Sequence, residues 1–128
     1  MEKLNQIIEI LSNHLGNEDL FDKIGNIKNR VGNNLVFDSK IDGVLGILLV
    51  LNDDKISKVK FVLKDAIYFE ELMERFGSYQ LSYNHYEEKS VIVFQISNDT
   101  KLIAEKDRYI INDEILISSF NEFEIVKE

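Results

Sequence analysis

Between Tyr79 and Glu88 the chain reads YQLSYNHYEE, and residue types capable of chemistry gather there. His85 has the side chain whose ordinary pKa suits proton transfer near neutrality. Glu87 stands two positions on, and Tyr83 and Tyr86 flank it. A general base also needs a reacting group within hydrogen-bond reach, and no nucleophilic serine or cysteine is placed with His85 by the sequence. The same residues suit docking better. Tyrosine offers a large apolar ring with a polar tip, and carboxylates such as Glu87 and Glu88 steer a cationic partner toward it.

The other candidate groups read as turn chemistry. Asp38, Asp42 and Gly43 have the look of a calcium loop, but Ser39 and Lys40 follow Asp38 and no glutamate completes the ligand set. Asp53 and Asp54 are adjacent residues of a hairpin turn. His14 fits the last turn of a helix, where the dipole favours positive charge. Gly43–Val44–Leu45–Gly46 lacks a third glycine and precedes a strand, so it is no dinucleotide loop. No phosphate loop, zinc-protease helix or hydrolase elbow occurs. No catalytic residue, metal site or cofactor is therefore expected.

Charge supports the docking reading. The chain has 128 residues and a net charge of −8, with no cysteine and no proline. Residues 1–64 are neutral overall, with nine basic and nine acidic residues. Residues 65–128 carry six basic and fourteen acidic residues, all five tyrosines and five of the eight phenylalanines. An acidic surface disfavours nucleic acid, whose phosphates demand cations, and favours encounter with a basic protein. Charged and amide residues interrupt the N-terminal apolar positions, and Ile47–Leu51 is far too short to span a bilayer. A single cytoplasmic α+β domain over residues 1–128, away from any membrane, is the expectation.

The elements that must position the cluster follow from apolar spacing. Leu4, Ile7, Ile8, Leu11 and Leu15 make one face of an N-terminal amphipathic helix closed by Gly16. Asn17 caps a short second helix ending at Gly25, and Asn26–Asn34 reads as a loop. Leu35–Phe37 forms a short strand. Val44–Leu51, almost wholly apolar, suits a strand covered on both faces, and Ile56–Leu63 alternates after the Asn52–Lys55 turn. A helix over Ala66–Phe76 follows, capped by Asp65 and stopped by Gly77. Phe69, Leu72, Met73 and Phe76 form its buried stripe, leaving Glu71 and Glu74 outward. Tyr79–Tyr83 and Val91–Ile96 make a hairpin around Asn84–Glu88, and Leu102–Glu105, Tyr109–Ile111 and Ile115–Ile117 read as strands. Phe120–Val126 fits strand or helix. No internal repeat is visible. The sum is an antiparallel meander with one helix inserted after its first hairpin.

In size, pI near 4.8, lack of cysteine and the surface at Tyr83, Tyr86, Glu87 and Glu88, the chain resembles small acidic immunity proteins of bacterial toxin systems, including contact-dependent inhibition. That resemblance implies a stoichiometric inhibitor of a basic toxin domain, often a nuclease. The residues expected to meet the partner are Glu71, Glu74, Tyr83, His85, Tyr86, Glu87 and Glu88. Secretion chaperones are similar in size and acidity, but the tail from Asn112 to Glu128 lacks the rhythm of their C-terminal helix. A small enzyme or ligand binder using His85, Tyr109 or an inward aspartate is the alternative from another class.

Overall fold

The computed structural model describes residues 2–13, 24–53 and 55–127. The expected second helix before Ile24, the His14–Gly16 helix terminus and Asp54 lie outside them. Helix α1 spans Glu2–Asn13 and is followed by β1 (Gly25–Val31), β2 (Asn34–Ser39), β3 (Val44–Asn52) and β4 (Lys55–Tyr68). Then come α2 (Phe69–Phe76), β5 (Gln80–Asn84), β6 (Lys89–Gln95), β7 (Thr100–Lys106), a 3-10 turn at Asn112–Ile117, and β8 (Ser119–Lys127). The class is α+β, built on one eight-stranded antiparallel sheet.

Strand order is β1-β2-β3-β4-β8-β7-β6-β5. Two four-stranded meanders therefore share a sheet, each preceded by a helix, with their last strands β4 and β8 paired at the centre and β1 and β5 at opposite edges. The register lines up apolar rows across the six inner strands. Leu35, Leu49, Val59, Ile125, Leu102 and Phe94 form one row. Phe37, Ile47, Phe61, Phe123, Ala104 and Ile92 form the next. Every residue of both rows is buried. Leu4, Ile7 and Ile8 of α1 and Phe69 and Leu72 of α2 join them in one core, with Met73 and Phe76 partly buried against it. The Arg75 guanidinium Nε donates to Asn5 Oδ1 at 3.0 Å, linking α2 to α1.

Several expectations are corrected. β3 is fully covered on one face only: Val44, Ile47, Leu49 and Leu51 are buried, whereas Gly46, Leu48 and Val50 are half-buried. An unbroken apolar run here serves an alternating, half-buried strand. Helix α2 begins at Phe69, because Ala66 and its neighbours continue β4: Ile67 pairs with Phe120 and Tyr68 with Ser119. Tyr68, rather than Asp65, occupies the N-cap, and its N–H donates to Glu71 Oε2 at 3.3 Å. A β-ladder overrides helix propensity there.

The expected Asn26–Asn34 loop is strand β1 for most of its length, paired with β2 through Val31↔Asn34. Its polar side chains are exposed on both faces, so burial periodicity gives no trace of it. Gly25 opens β1; its φ is +150°, and a Cβ there would stand 1.8 Å from the Asp38 carbonyl oxygen. Ile115–Ile117 lies in the 3-10 turn, with Leu116 and Ile117 exposed. The tail resolves as strand: β8 inserts between β4 and β7 and is bonded on both sides.

Candidate functional site

The β5–β6 hairpin carries most of the expected contact residues. Asn84 organises its tip, the Oδ1 accepting the N–H groups of Tyr86 and Glu87 at 3.1 Å each. This side-chain turn is the one asparagine favours. Asn84 Nδ2 also reaches Glu87 Oε2 at 3.5 Å, and Glu88 takes a positive φ of 56° to close the loop. Tyr86 projects from this fixed turn and is 98% exposed.

Below the tip, three rings meet. Tyr83 and Tyr109 are edge-to-face with centroids 5.5 Å apart, and His85 lies 5.7 Å from Tyr109. His85 Nδ1 is 3.3 Å from the Tyr109 hydroxyl. The Tyr83 hydroxyl donates to the Ile110 carbonyl at 2.7 Å. Ser90, fully buried, donates through Oγ to the Arg108 carbonyl at 2.8 Å and accepts the Ile110 N–H at 2.7 Å. The segment Tyr109–Ile111, expected as a strand, is thus a connection whose backbone groups are satisfied by side chains of the hairpin. A ladder is not needed when other partners fill it.

These bonds sort the expected site residues. Tyr83 and His85 are exposed but hydrogen-bonded to the connection, through Ile110 and Tyr109. Glu71 serves the N-terminus of its own helix. Tyr86, Glu87, Glu88 and Glu74 are exposed, and among the described residues Glu74, Glu87 and Glu88 form no ion pair. Glu71 and Glu74 make no hydrogen bond or ion pair to the hairpin among those residues.

The nearby cations are engaged elsewhere. Lys89 Nζ lies 3.3 Å from Glu105, 3.4 Å from Asp107 and 3.9 Å from Glu122. Burial pushes the Lys89 pKa down, but the Glu105 and Asp107 carboxylates outweigh it and hold the ammonium above its ordinary value. Arg108 pairs with Glu114. The hairpin therefore keeps its carboxylates uncompensated while the adjacent basic side chains are used inside the fold. Ser90 and Lys89 were not singled out from sequence, and Asn84 was read only as the first residue of the turn. Asparagine before a turn was a readable signal; the other two required knowledge of which strands are neighbours.

The sheet face away from the helices bears a groove of about 310 Å³, lined by Val36, Gly46, Leu48, Val62, Lys60, Lys89, Glu105 and Glu122, among others. Beside it Glu124 is 5% exposed and pairs with Lys58 at 3.0 Å and Lys60 at 3.8 Å. His85 and Tyr109 do not line the groove. Asp38 pairs loosely with Lys28 at 4.0 Å, and Asp53 has the positive φ of a turn residue, 52°. Among the described residues no three histidine, aspartate or glutamate side chains converge as a metal set would require. Comparison with protein-family models, curated proteins and solved structures finds no match for this chain.

Proposed function

We propose that this protein is a non-enzymatic binder of a basic protein, and that it acts as an immunity protein neutralising a cognate toxin domain, of which a nuclease is the leading type. The observation that carries the reading is Tyr86, 98% exposed on a turn fixed by Asn84 and flanked by Glu87 and Glu88. An exposed ring on a pre-ordered turn loses little conformational entropy on binding, which is the property of an interface anchor. Unpaired carboxylates around it raise the encounter rate with a cationic surface, most strongly at low salt. Tyr86, Glu87, Glu88 and Glu74 make the contact; Tyr83, His85 and Glu71 hold their elements in place for it. Binding in the cytoplasm would block substrate access to the toxin.

The test couples rescue to the hairpin. Proteins retained by the wild-type chain, and not by a Tyr86→Ala, Glu87→Lys, Glu88→Lys variant of unchanged melting behaviour, are candidate partners. Co-expression with a basic toxin domain among them should restore growth with the wild type and not with the variant. Full rescue by the triple variant would reject the hairpin as the contact.

A further inference from the structure

The two edges of the sheet differ in a way that points to how the partner is held. Both are antiparallel outer strands, β1 on one side and β5 on the other. Strand β1 carries Lys28 and Arg30, and a register irregularity lies between Ile27 and Asn29. Charges and bulges of this kind stop an edge from pairing with a foreign strand. Strand β5, Gln80–Asn84, has none of these. It contains no charged residue, and its pairing with β6 runs without irregularity from Gln80↔Val93 to Asn84↔Lys89. Among the described residues, its outer backbone N–H and C=O groups have no neighbouring strand. An uncharged edge of regular register is the template that strand addition uses.

The charges beyond its ends say what fits. Glu74 lies in the last turn of α2, which leads through Gly77 into β5, and Glu87 and Glu88 follow β5 at the turn. Among the described residues none of the three forms an ion pair. Arg75, the cation of that stretch, is turned to Asn5 and over the Phe76 ring, 5.4 Å from its centroid. A strand of this length spans roughly 17 Å; Glu87 and Glu88 stand just past its Asn84 end, and Glu74 precedes its Gln80 end along the chain. We infer that β5 receives an extended segment of the partner by β-strand addition, with a lysine or arginine at each end of that segment. A second copy of this chain fits less well: antiparallel self-pairing of β5 brings the Glu87–Glu88 tip of one copy toward the α2 end, with Glu74, of the other. The inference rests on the reading of a basic protein partner and specifies its mode of attachment.

The probe is a synthetic peptide of roughly seven residues, with lysine at each end and alternating threonine and valine between, so that the inner segment matches the strand's span. Its control has the same charges but alternate backbone amides N-methylated, so it cannot complete a ladder. Binding is read by titration and by hydrogen exchange at Leu81, Ser82 and Tyr83 of the full chain. The plain peptide should slow exchange at the outward amides of β5, and N-methylation should weaken binding about tenfold or more. Equal binding of both peptides would mean that charge alone holds them, which overturns strand addition and leaves the basic-partner reading standing. So would tight binding of a basic toxin partner with β5 amides unprotected. Concentration-dependent protection of β5 without peptide would assign the edge to a second copy and overturn the inference. Loss of both peptide and toxin binding would remove the parent reading as well.

Discussion

Phe61 of β4 and Phe123 of β8 face each other across the middle of the sheet, with ring centroids 5.6 Å apart and planes 19° from parallel. They are the seam between the two meanders. Both rings are buried, at 1% and 2% exposure, so neither half can shed the pair without exposing apolar surface. Phe123→Ala is expected to cost about 3–5 kcal/mol of stability, read as a lower urea midpoint with the slope unchanged. A midpoint equal to wild type would show that the seam is not part of the cooperative core.

The connection behind the hairpin depends on Ser90. Its hydroxyl serves two backbone groups, the Arg108 carbonyl and the Ile110 N–H. Ser90→Ala leaves both without that partner in a buried place and should cost about 1–3 kcal/mol. Exchange of the Ile110 amide should accelerate beyond what the global loss of stability explains. Tyr83→Phe, which removes only the hydroxyl donor to Ile110, should cost about 1 kcal/mol.

Gly25 and Gly32 separate two kinds of glycine requirement. A Cβ at Gly25 meets the Asp38 carbonyl oxygen at 1.8 Å, whereas one at Gly32, with φ +60°, meets nothing within 4 Å. Gly25→Ala should therefore destabilise by clearly more than about 1 kcal/mol, and Gly32→Ala by backbone strain of roughly 1 kcal/mol. Thermal melts of the two variants side by side test the order.

Lys89 links stability to alkaline pH. Its folded pKa is raised above the ordinary 10.5, Glu105 and Asp107 outweighing burial. A raised folded pKa means the native state binds the proton more tightly than the unfolded chain. The contribution is fully present below 10.5 and is lost as pH rises through the folded value. The stability gap between wild type and Lys89→Met should narrow across that window, measured by denaturant midpoints at a series of pH values. A gap constant with pH would show that the ammonium adds nothing beyond its stem.

The legible parts of the chain were those whose signal is local. The hairpin from Val44 to Leu63 was readable because Val59, Phe61 and Leu63 alternate with Lys58 and Lys60 around an Asn–Asp turn, and the register places that turn as expected. The β5–β6 hairpin was readable for the same reason, since Asn84 starts the turn and strands flank it. Strand β1 was not, because its side chains face water on both sides and leave no burial pattern. Ala66–Tyr68 were misread as helix because their partner, β8, lies some fifty residues further on, and only pairing with it decides their conformation.

By itself, the sequence determined the apolar faces, the turn chemistry and the concentration of carboxylates and tyrosines after residue 65, since composition and spacing are carried by each segment alone. Tertiary structure decided three other things. It set β8 between β4 and β7, so that two helix-plus-meander units with no visible sequence repeat share one sheet. It hydrogen-bonded Tyr83 and His85 to the Tyr109–Ile110 connection and, among the described residues, left Tyr86 free of side-chain bonds at the tip. It also spent Lys89 and Arg108 on internal carboxylates while leaving Glu74, Glu87 and Glu88 without ion pairs among the described residues. These outcomes depend on contacts between residues distant along the chain, and side chains compete for such partners only once the sheet has brought them within reach.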